Sequence, residues 1–163
     1  MRRCPSNNAG SWYDDLVELG SEESDFVTAN VSPEDSAQVK DWAEHARAAV
    51  PDAHAKRAAW SVVEDERVSN RRLRAVLDGL WSAGRGSLPA EQVMTYLTNA
   101  QGLTARRGPG FGALLGSCHP GLALSSDQLQ ALSDALSGEL EPRLRRQWQD
   151  WYDDLTTAAW SAR

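Results

Sequence analysis

Residues 69–84 read SNRRLRAVLDGLWSAG, and this stretch decides the fold class. Ser69 belongs to the residue types that cap helix N-termini, and Gly84 to those that end helices. Between them the apolar side chains recur every three or four residues, the spacing of one helix face: Leu73, Val76, Leu77 and Leu80. The stretch therefore predicts an amphipathic helix that begins at about Asn70.

The same signals recur along the rest of the chain. Ser32 is followed by a proline and, three residues after it, by an acid, which predicts a helix from Pro33 to about Ala49. Residues 102–112 are rich in glycine and predict a loop, with at most a short helix over 111–117. Further helices are predicted over 11–19, 21–29, 52–65, 89–101 and 126–137, with a last and longest one from Pro142. Asp52 is the expected cap of the helix over 52–65, and Ser125 and Gln128 form a capping pair before the helix over 126–137. The pattern indicates eight or nine helices and no strand, so the predicted fold class is all-α.

Composition favours the same class. The 163 residues include 23 alanines and 18 leucines but no isoleucine. Alanine favours helices, whereas β-branched side chains favour strands, so this composition argues against a β-sandwich or a barrel.

Charge and hydropathy exclude several classes of partner. The formal net charge is -6, so the chain lacks the basic surface of a nucleic-acid binder. No apolar run approaches the roughly 18 residues that a membrane-spanning helix needs. Arg2 and Arg3 are not followed by the apolar segment of a signal peptide. We therefore expect a cytoplasmic protein that binds neither nucleic acid nor membrane.

Length and helix spacing predict the domain organisation. We expect a disordered N-terminal tail over 1–10 and a single helical domain over 11–163. The helices that begin near Pro33 and Asn70 start 37 residues apart, with one helix between them. This spacing resembles the stacked antiparallel helix pairs of HEAT and armadillo proteins, which form a right-handed superhelix. A plain helical bundle fits the spacing equally well.

Histidine and cysteine spacing predicts no active site. A zincin helix needs two histidines four residues apart with a glutamate between them. His45 and His54 lack that spacing, and we interpret them as surface helix residues. Cys4 and Cys118 match neither a disulfide framework nor a zinc site.

The sequence Trp-Tyr-Asp-Asp-Leu occurs at 12–16 and again at 151–155. The first copy continues to Glu18, four residues after Asp14, so these two carboxylates would share a helix face. Paired acids at this spacing can hold magnesium, which makes a magnesium-dependent enzyme one hypothesis. A magnesium-dependent terpene cyclase, however, needs a second metal motif and a much larger helical barrel. We therefore favour an interpretation in which Trp and Leu pack inward while the acids are solvated.

Two arginine-containing stretches are candidate anion sites. Residues 106–112 read RRGPGFG, but they lack the Lys-Ser/Thr ending of a phosphate-binding loop, so we predict a flexible surface loop. Arg143, Arg145 and Arg146 cluster near the start of the last helix. We interpret them as a solvated, salt-bridged face, with a groove for an acidic peptide terminus as the alternative.

Residues 46–81 carry a family resemblance. They read ARAAVPDAHAKRAAW over 46–60, then VSN at 68–70, RAV at 74–76 and GLW at 79–81. This pattern resembles the C-terminal helical region of actinobacterial aminopeptidase N, which is similar to the C-terminal domain of the endoplasmic-reticulum aminopeptidases. A weaker likeness extends over 12–163 and includes Tyr96, whereas residues 102–121 depart most from the family. The matching positions are Pro51, Lys56, Trp60, Asn70, Ala75 and Gly79.

The resemblance implies a stack of antiparallel helix pairs that walls the peptide chamber of a zinc aminopeptidase or serves as a scaffold. In that family the zinc ligands and catalytic residues belong to other domains. It therefore implies no catalytic, metal-binding or cofactor-binding residue here, and a structural role for the six matching positions. A zinc aminopeptidase catalytic domain would then be the partner. The alternative, motivated by a small acidic chain with seven tryptophans, is an immunity or regulatory module that binds another protein.

Overall fold

The computed structural model describes residues 31–32, 34–81, 90–121 and 124–161. These residues form seven α-helices and no strand, which confirms the all-α prediction. The predicted tail over 1–10 and the predicted helices over 11–19 and 21–29 lie outside the described residues. The helices are α1 (Ala37–Ala49), α2 (Ala53–Glu64), α3 (Asn70–Trp81), α4 (Ala90–Arg107), α5 (Pro109–Ser117), α6 (Ser126–Ser137) and α7 (Pro142–Ser161).

Helix α1 begins later than its sequence signals predict. Ser32 closes a turn instead: its hydroxyl accepts from the Glu34 amide, and its own amide donates to Asp35. The observed N-cap is Ser36, whose Oγ accepts from the Val39 amide at 3.3 Å. Two serines four residues apart can each cap a helix, and the second one does so here.

Two other predicted caps are confirmed. The Asp52 carboxylate accepts from the amides of His54 and Ala55 at the start of α2. Ser125 and Gln128 form a reciprocal capping box at the start of α6, in which each side chain accepts from the other residue's amide. Caps of this kind act over three residues, which explains why local sequence predicts them well.

The loop predicted over 102–112 is wrong. Helix α4 continues through Gly102 to Arg107, and α5 begins at Pro109. Gly102 costs the helix about 1 kcal/mol relative to alanine, whereas burying a leucine such as Leu103 contributes about 1.5–3 kcal/mol. Leu103 and Thr104 are each 2% exposed, so the buried face extends past the glycine. The break comes at Gly108, whose φ of +84° favours glycine.

The described residues group into two compact units. The first contains the residues up to Val63 together with 71–81, and therefore α1 and most of α2 and α3. The second contains Glu64–Asn70 and the residues from 90 onward, which include α4 to α7. Within the second unit, α5 and α6 each pack against both α4 and α7.

Each unit has its own apolar core. The core of the first unit is built from α2 and α3 side chains with small residues of α1, which include Ala46, Ala49, Val63, Leu73 and Leu77. The core of the second is richer in large rings and leucines, which include Tyr96, Leu115, Leu132, Leu144 and Trp148. None of the described helices combines the length and the apolar character needed to cross a bilayer.

Candidate functional site

The most unusual side chain of the first unit is Lys56 on α2, which is only 2% exposed. Its Nζ donates to the carbonyl oxygen of Ala48 at 2.7 Å and to that of Leu80 at 3.4 Å. These carbonyls belong to the last turns of α1 and α3, where helix carbonyls lack intrahelical partners. One ammonium group therefore caps two helix C-termini. The partial negative charge of a helix C-terminus also favours a positive charge at this position.

Burial has a chemical consequence for this amine. Desolvation lowers the pKa of Lys56 to about 8, and the Asp52 carboxylate partly opposes that change. Lysines with lowered pKa values serve as nucleophiles in some enzymes. Here the amine is enclosed and donates to two backbone carbonyls, so the geometry favours a structural role.

Two further family-pattern residues lie close to Lys56. Trp60 follows one turn later on α2, and its ring meets that of Trp81 edge to face, with centroids 6.4 Å apart. Gly79 lies where α3 crosses α1: a Cβ added there would stand 2.9 Å from both the carbonyl carbon and the Cα of His45. Only a residue without a side chain fits this crossing without displacing backbone.

The structure brings together three of the six matching positions and leaves three apart. Lys56 and Trp60 of α2 both contact the end of α3, and Gly79 of α3 lies against His45 of α1. Pro51 is exposed in the connection between α1 and α2, and Asn70 is the exposed first residue of α3. Ala75 is half-buried on α3.

A second buried polar cluster lies in the second unit around Tyr96, which is completely buried. Its hydroxyl donates to the carbonyl oxygen of Leu115 at 2.8 Å and accepts from Nε1 of Trp148 at 2.8 Å. Burial raises the pKa of Tyr96, so the phenol stays neutral and keeps its proton for Leu115. This hydrogen-bond chain links α4, α5 and α7.

Trp151 packs beside this chain. Its ring meets Tyr96 edge to face at 6.4 Å, and its other neighbour is the imidazole of His119, which stacks on it at 4.7 Å and 16°. Trp151 is 2% exposed, and its Nε1 is buried without a hydrogen-bond partner among the described residues. Cys118, next to His119, is buried and is not in a disulfide with a described residue.

Two glycines let α5 approach its neighbours closely. A Cβ on Gly116 would stand 2.6 Å from Cβ of Gln147 on α7, and one on Gly112 would stand 3.0 Å from Cδ of Glu141. Glu141 itself caps α7, because its Oε2 accepts from the amides of Arg143 and Leu144. Gly112, one of the glycines that suggested a loop, therefore serves helix packing.

Two arginines of the second unit hold backbone carbonyls that follow helix ends. The Arg107 guanidinium donates to the carbonyl oxygens of Asp65 and Val68, and it lies 4.6 Å above the Phe111 ring. The Arg145 guanidinium donates to those of Leu136 and Gly138 at the end of α6. With Lys56, these side chains form a set of cationic clamps on helix ends.

The other candidate residues remain separate. His54 is exposed and His45 is half-buried, as α2 and α1 residues. In the second Trp-Tyr-Asp-Asp-Leu copy Trp151 is buried, Leu155 is half-buried and Asp153 and Asp154 are exposed, which agrees with the packing interpretation for the tryptophan and the acids and only in part for the leucine. The first copy lies outside the described residues. Within the described part of the chain, no group of three or more His, Cys, Asp or Glu side chains could hold a metal ion.

The predicted arginine face needs a correction. Arg143 and Arg146 are exposed, but Arg145 is half-buried on the α6 carbonyls. The sequence analysis did not predict that Lys56, Arg107 and Arg145 bind backbone carbonyls at helix ends. A usable signal was present for Lys56 and Arg107, because α1 and α2 are followed by Val50 and Asp65, neither of which is the glycine that caps many helix C-termini.

Comparison with models of known protein families and with curated protein sequences found no match. The buried polar side chains described above mostly bind helix ends and neighbouring helices. These contacts hold helices together.

Proposed function

We propose that this chain is a non-catalytic helical segment of the aminopeptidase N type, which walls a peptide chamber or serves as a scaffold. The proposal starts from the resemblance over 46–81. It is supported by one observation: Lys56, Trp60 and Gly79, three positions of the family pattern, each make a contact between two of the helices α1, α2 and α3. A shared pattern made of packing residues is what a shared helical scaffold requires.

The fold proposed for this scaffold is the HEAT-like superhelix of stacked helix pairs in one domain over 11–163. Clamped helix ends suit such a stack, because each helix pair is stabilised mainly by its neighbours. In this proposal the chain carries no cofactor, and zinc belongs to a separate catalytic domain. The partner is that domain, and the protein acts in the cytoplasm.

The direct test combines an activity assay with a binding assay. The purified chain should not hydrolyse aminoacyl-anilide substrates, with or without added zinc. It should bind an aminopeptidase N catalytic domain from which the C-terminal region has been deleted, and it should change the domain's preference between short and long peptides. Zinc-dependent turnover by the pure chain would refute the proposal, as would failure to bind or affect the catalytic domain.

A second proposal is an acidic interaction module of the immunity or regulatory kind. The observation that favours it is Trp42 on α1, which is 37% exposed, because tryptophan is enriched at the centres of protein interfaces. Trp42→Ala should then weaken a complex with the partner by at least tenfold, while Arg57→Ala, an exposed α2 substitution, should leave it unchanged. Equal affinities of the two variants would argue against this use of Trp42.

A further inference from the structure

The His119–Trp151 stack differs from the other ring contacts of the second unit because one of its two rings is an imidazole, whose ordinary pKa lies close to neutral pH. The neighbouring Trp148 is held by a hydrogen bond to Tyr96, whose phenol stays neutral. Trp151 has no such bond, since its Nε1 lacks a partner among the described residues. Its contact with the segment after α5 is the face of the His119 imidazole, 4.7 Å away.

The surroundings of His119 disfavour its charged form. The ring is half-buried between Trp151 and its own backbone, where Nδ1 lies 3.4 Å from the carbonyl oxygen of Pro120. Burial lowers the pKa of His119, while the Pro120 carbonyl and the Asp154 carboxylate partly oppose this effect. Protonation therefore places a charge where solvation is poor.

The titratable groups around the ring are few in the described part of the chain. Asp154 lies on α7, Cys118 precedes the ring in the chain, and Tyr96 contributes from α4 beyond Trp151. Of these only Asp154 carries a charge that favours the imidazolium. A cation above the indole face is also attracted to the ring, and this attraction opposes the desolvation effect.

We propose that the His119–Trp151 stack is a proton-sensitive latch that holds residues 118–121 against α7 at neutral pH and releases them when His119 is protonated. The sign follows from linkage. A histidine whose pKa is lower in the closed state than in the open state binds its proton more strongly when open, so acidification favours opening. Opening increases as the pH falls below about 6.5, the ordinary pKa of histidine, and is complete below the pKa that His119 has while the stack is closed.

Cys118 offers a built-in reporter of this opening. Cys118 is 5% exposed, so movement of the segment should increase the access of a thiol reagent to its side chain. The chain has two cysteines, and a Cys4→Ser background leaves Cys118 as the single thiol. The labelling rate is measured from pH 8 to pH 4.5 with 4,4′-dithiodipyridine, which reacts with thiols in acid, and is normalised to a free cysteine peptide.

The expected result is a normalised rate that rises with acidification, by about tenfold for each unit by which the closed-state pKa of His119 lies below the ordinary value. The matched control is His119→Gln, which keeps a planar polar side chain but cannot be charged, and it should give a flat profile. Asp154→Asn should increase the rise, because it removes the carboxylate that favours the imidazolium.

A second measurement keeps the proposal testable if the glutamine variant fails to fold. The pKa of His119 is read from its imidazole proton resonances by NMR in the otherwise unaltered chain. A pKa at or above the ordinary histidine value overturns the proposal, since protonation would then tighten the stack. Identical labelling profiles for the unaltered chain and His119→Gln overturn it as well.

Discussion

Gly79→Ala tests the closeness of the α1–α3 crossing. The added methyl carbon would lie 2.9 Å from the His45 carbonyl carbon and Cα, and closer still to the His45 carbonyl oxygen. Non-bonded carbons prefer about 3.5–4.0 Å, so the two helices must separate by more than about half an ångström. All three atoms are backbone, so no side chain can rotate away to make room.

Two effects of opposite sign set the change in the free energy of unfolding that Gly79→Ala causes. A gap of about 0.5–1 Å forfeits a quarter to a half of the dispersion energy of the atoms involved, and overpacking of this kind typically costs about 1–3 kcal/mol. Alanine regains about 1 kcal/mol because glycine is the poorer helix former. Since the clash involves rigid backbone, we take the upper part of the range and expect a net loss of about 2 kcal/mol.

The assay is urea unfolding followed by far-UV circular dichroism, together with a thermal scan. For a chain of this size, 2 kcal/mol corresponds to a decrease in Tm of about 4–8 °C. Gly102→Ala is the matched control, because it lies within helix α4 and an added Cβ would meet only the Arg106 side chain, at 3.9 Å. It should gain up to about 1 kcal/mol from helix propensity alone.

The comparison between the two variants decides the outcome. If Gly79→Ala is as stable as the unaltered chain, or gains stability as Gly102→Ala does, the crossing is looser than described and the steric reasoning is refuted.

Three further predictions concern the polar clusters and caps. The folded-state pKa of Lys56 is about 8, below its unfolded value, so the free energy of unfolding should rise between pH 8 and 10.5. Urea unfolding measured across that range should show no such rise for Lys56→Met. If the variant retains the rise, another group causes it. Tyr96→Phe leaves Trp148 Nε1 without its acceptor and removes one of the two donors to the Leu115 carbonyl oxygen, which also accepts from the Cys118 amide. This should cost about 2 kcal/mol by the same assay, whereas a loss below about 0.5 kcal/mol would mean that water replaces the hydroxyl. Ser125→Ala removes one half of a capping box and should cost about 1 kcal/mol, with Ser126→Ala, the next residue, as the neutral control.

Local sequence predicted the described helices where their signals act within one turn. The cap at Asp52, the capping box at Ser125 and the apolar period of α3 were all read correctly. The start of α1 was misplaced because both Ser32 and Ser36 are competent caps, and a local rule does not rank them.

The glycine-rich stretch over 102–112 shows why the remaining structure needed tertiary information. Glycine favours a loop locally, but Gly112 lies where α5 closely approaches the side chains of Thr104 and Glu141. Its missing side chain is used for contact between helices, and a sequence read one turn at a time does not contain that contact.

The candidate sites divide in the same way. The sequence by itself determined an all-α chain, most of its helix positions and the local caps, because periodicity and capping join residues at most four positions apart. Only the tertiary structure decided that Lys56 binds Leu80, 24 positions away, and that Trp148 binds Tyr96, 52 positions away. A buried amine or indole needs a hydrogen-bond partner, but which carbonyl or hydroxyl supplies it depends on how helices distant in sequence pack together.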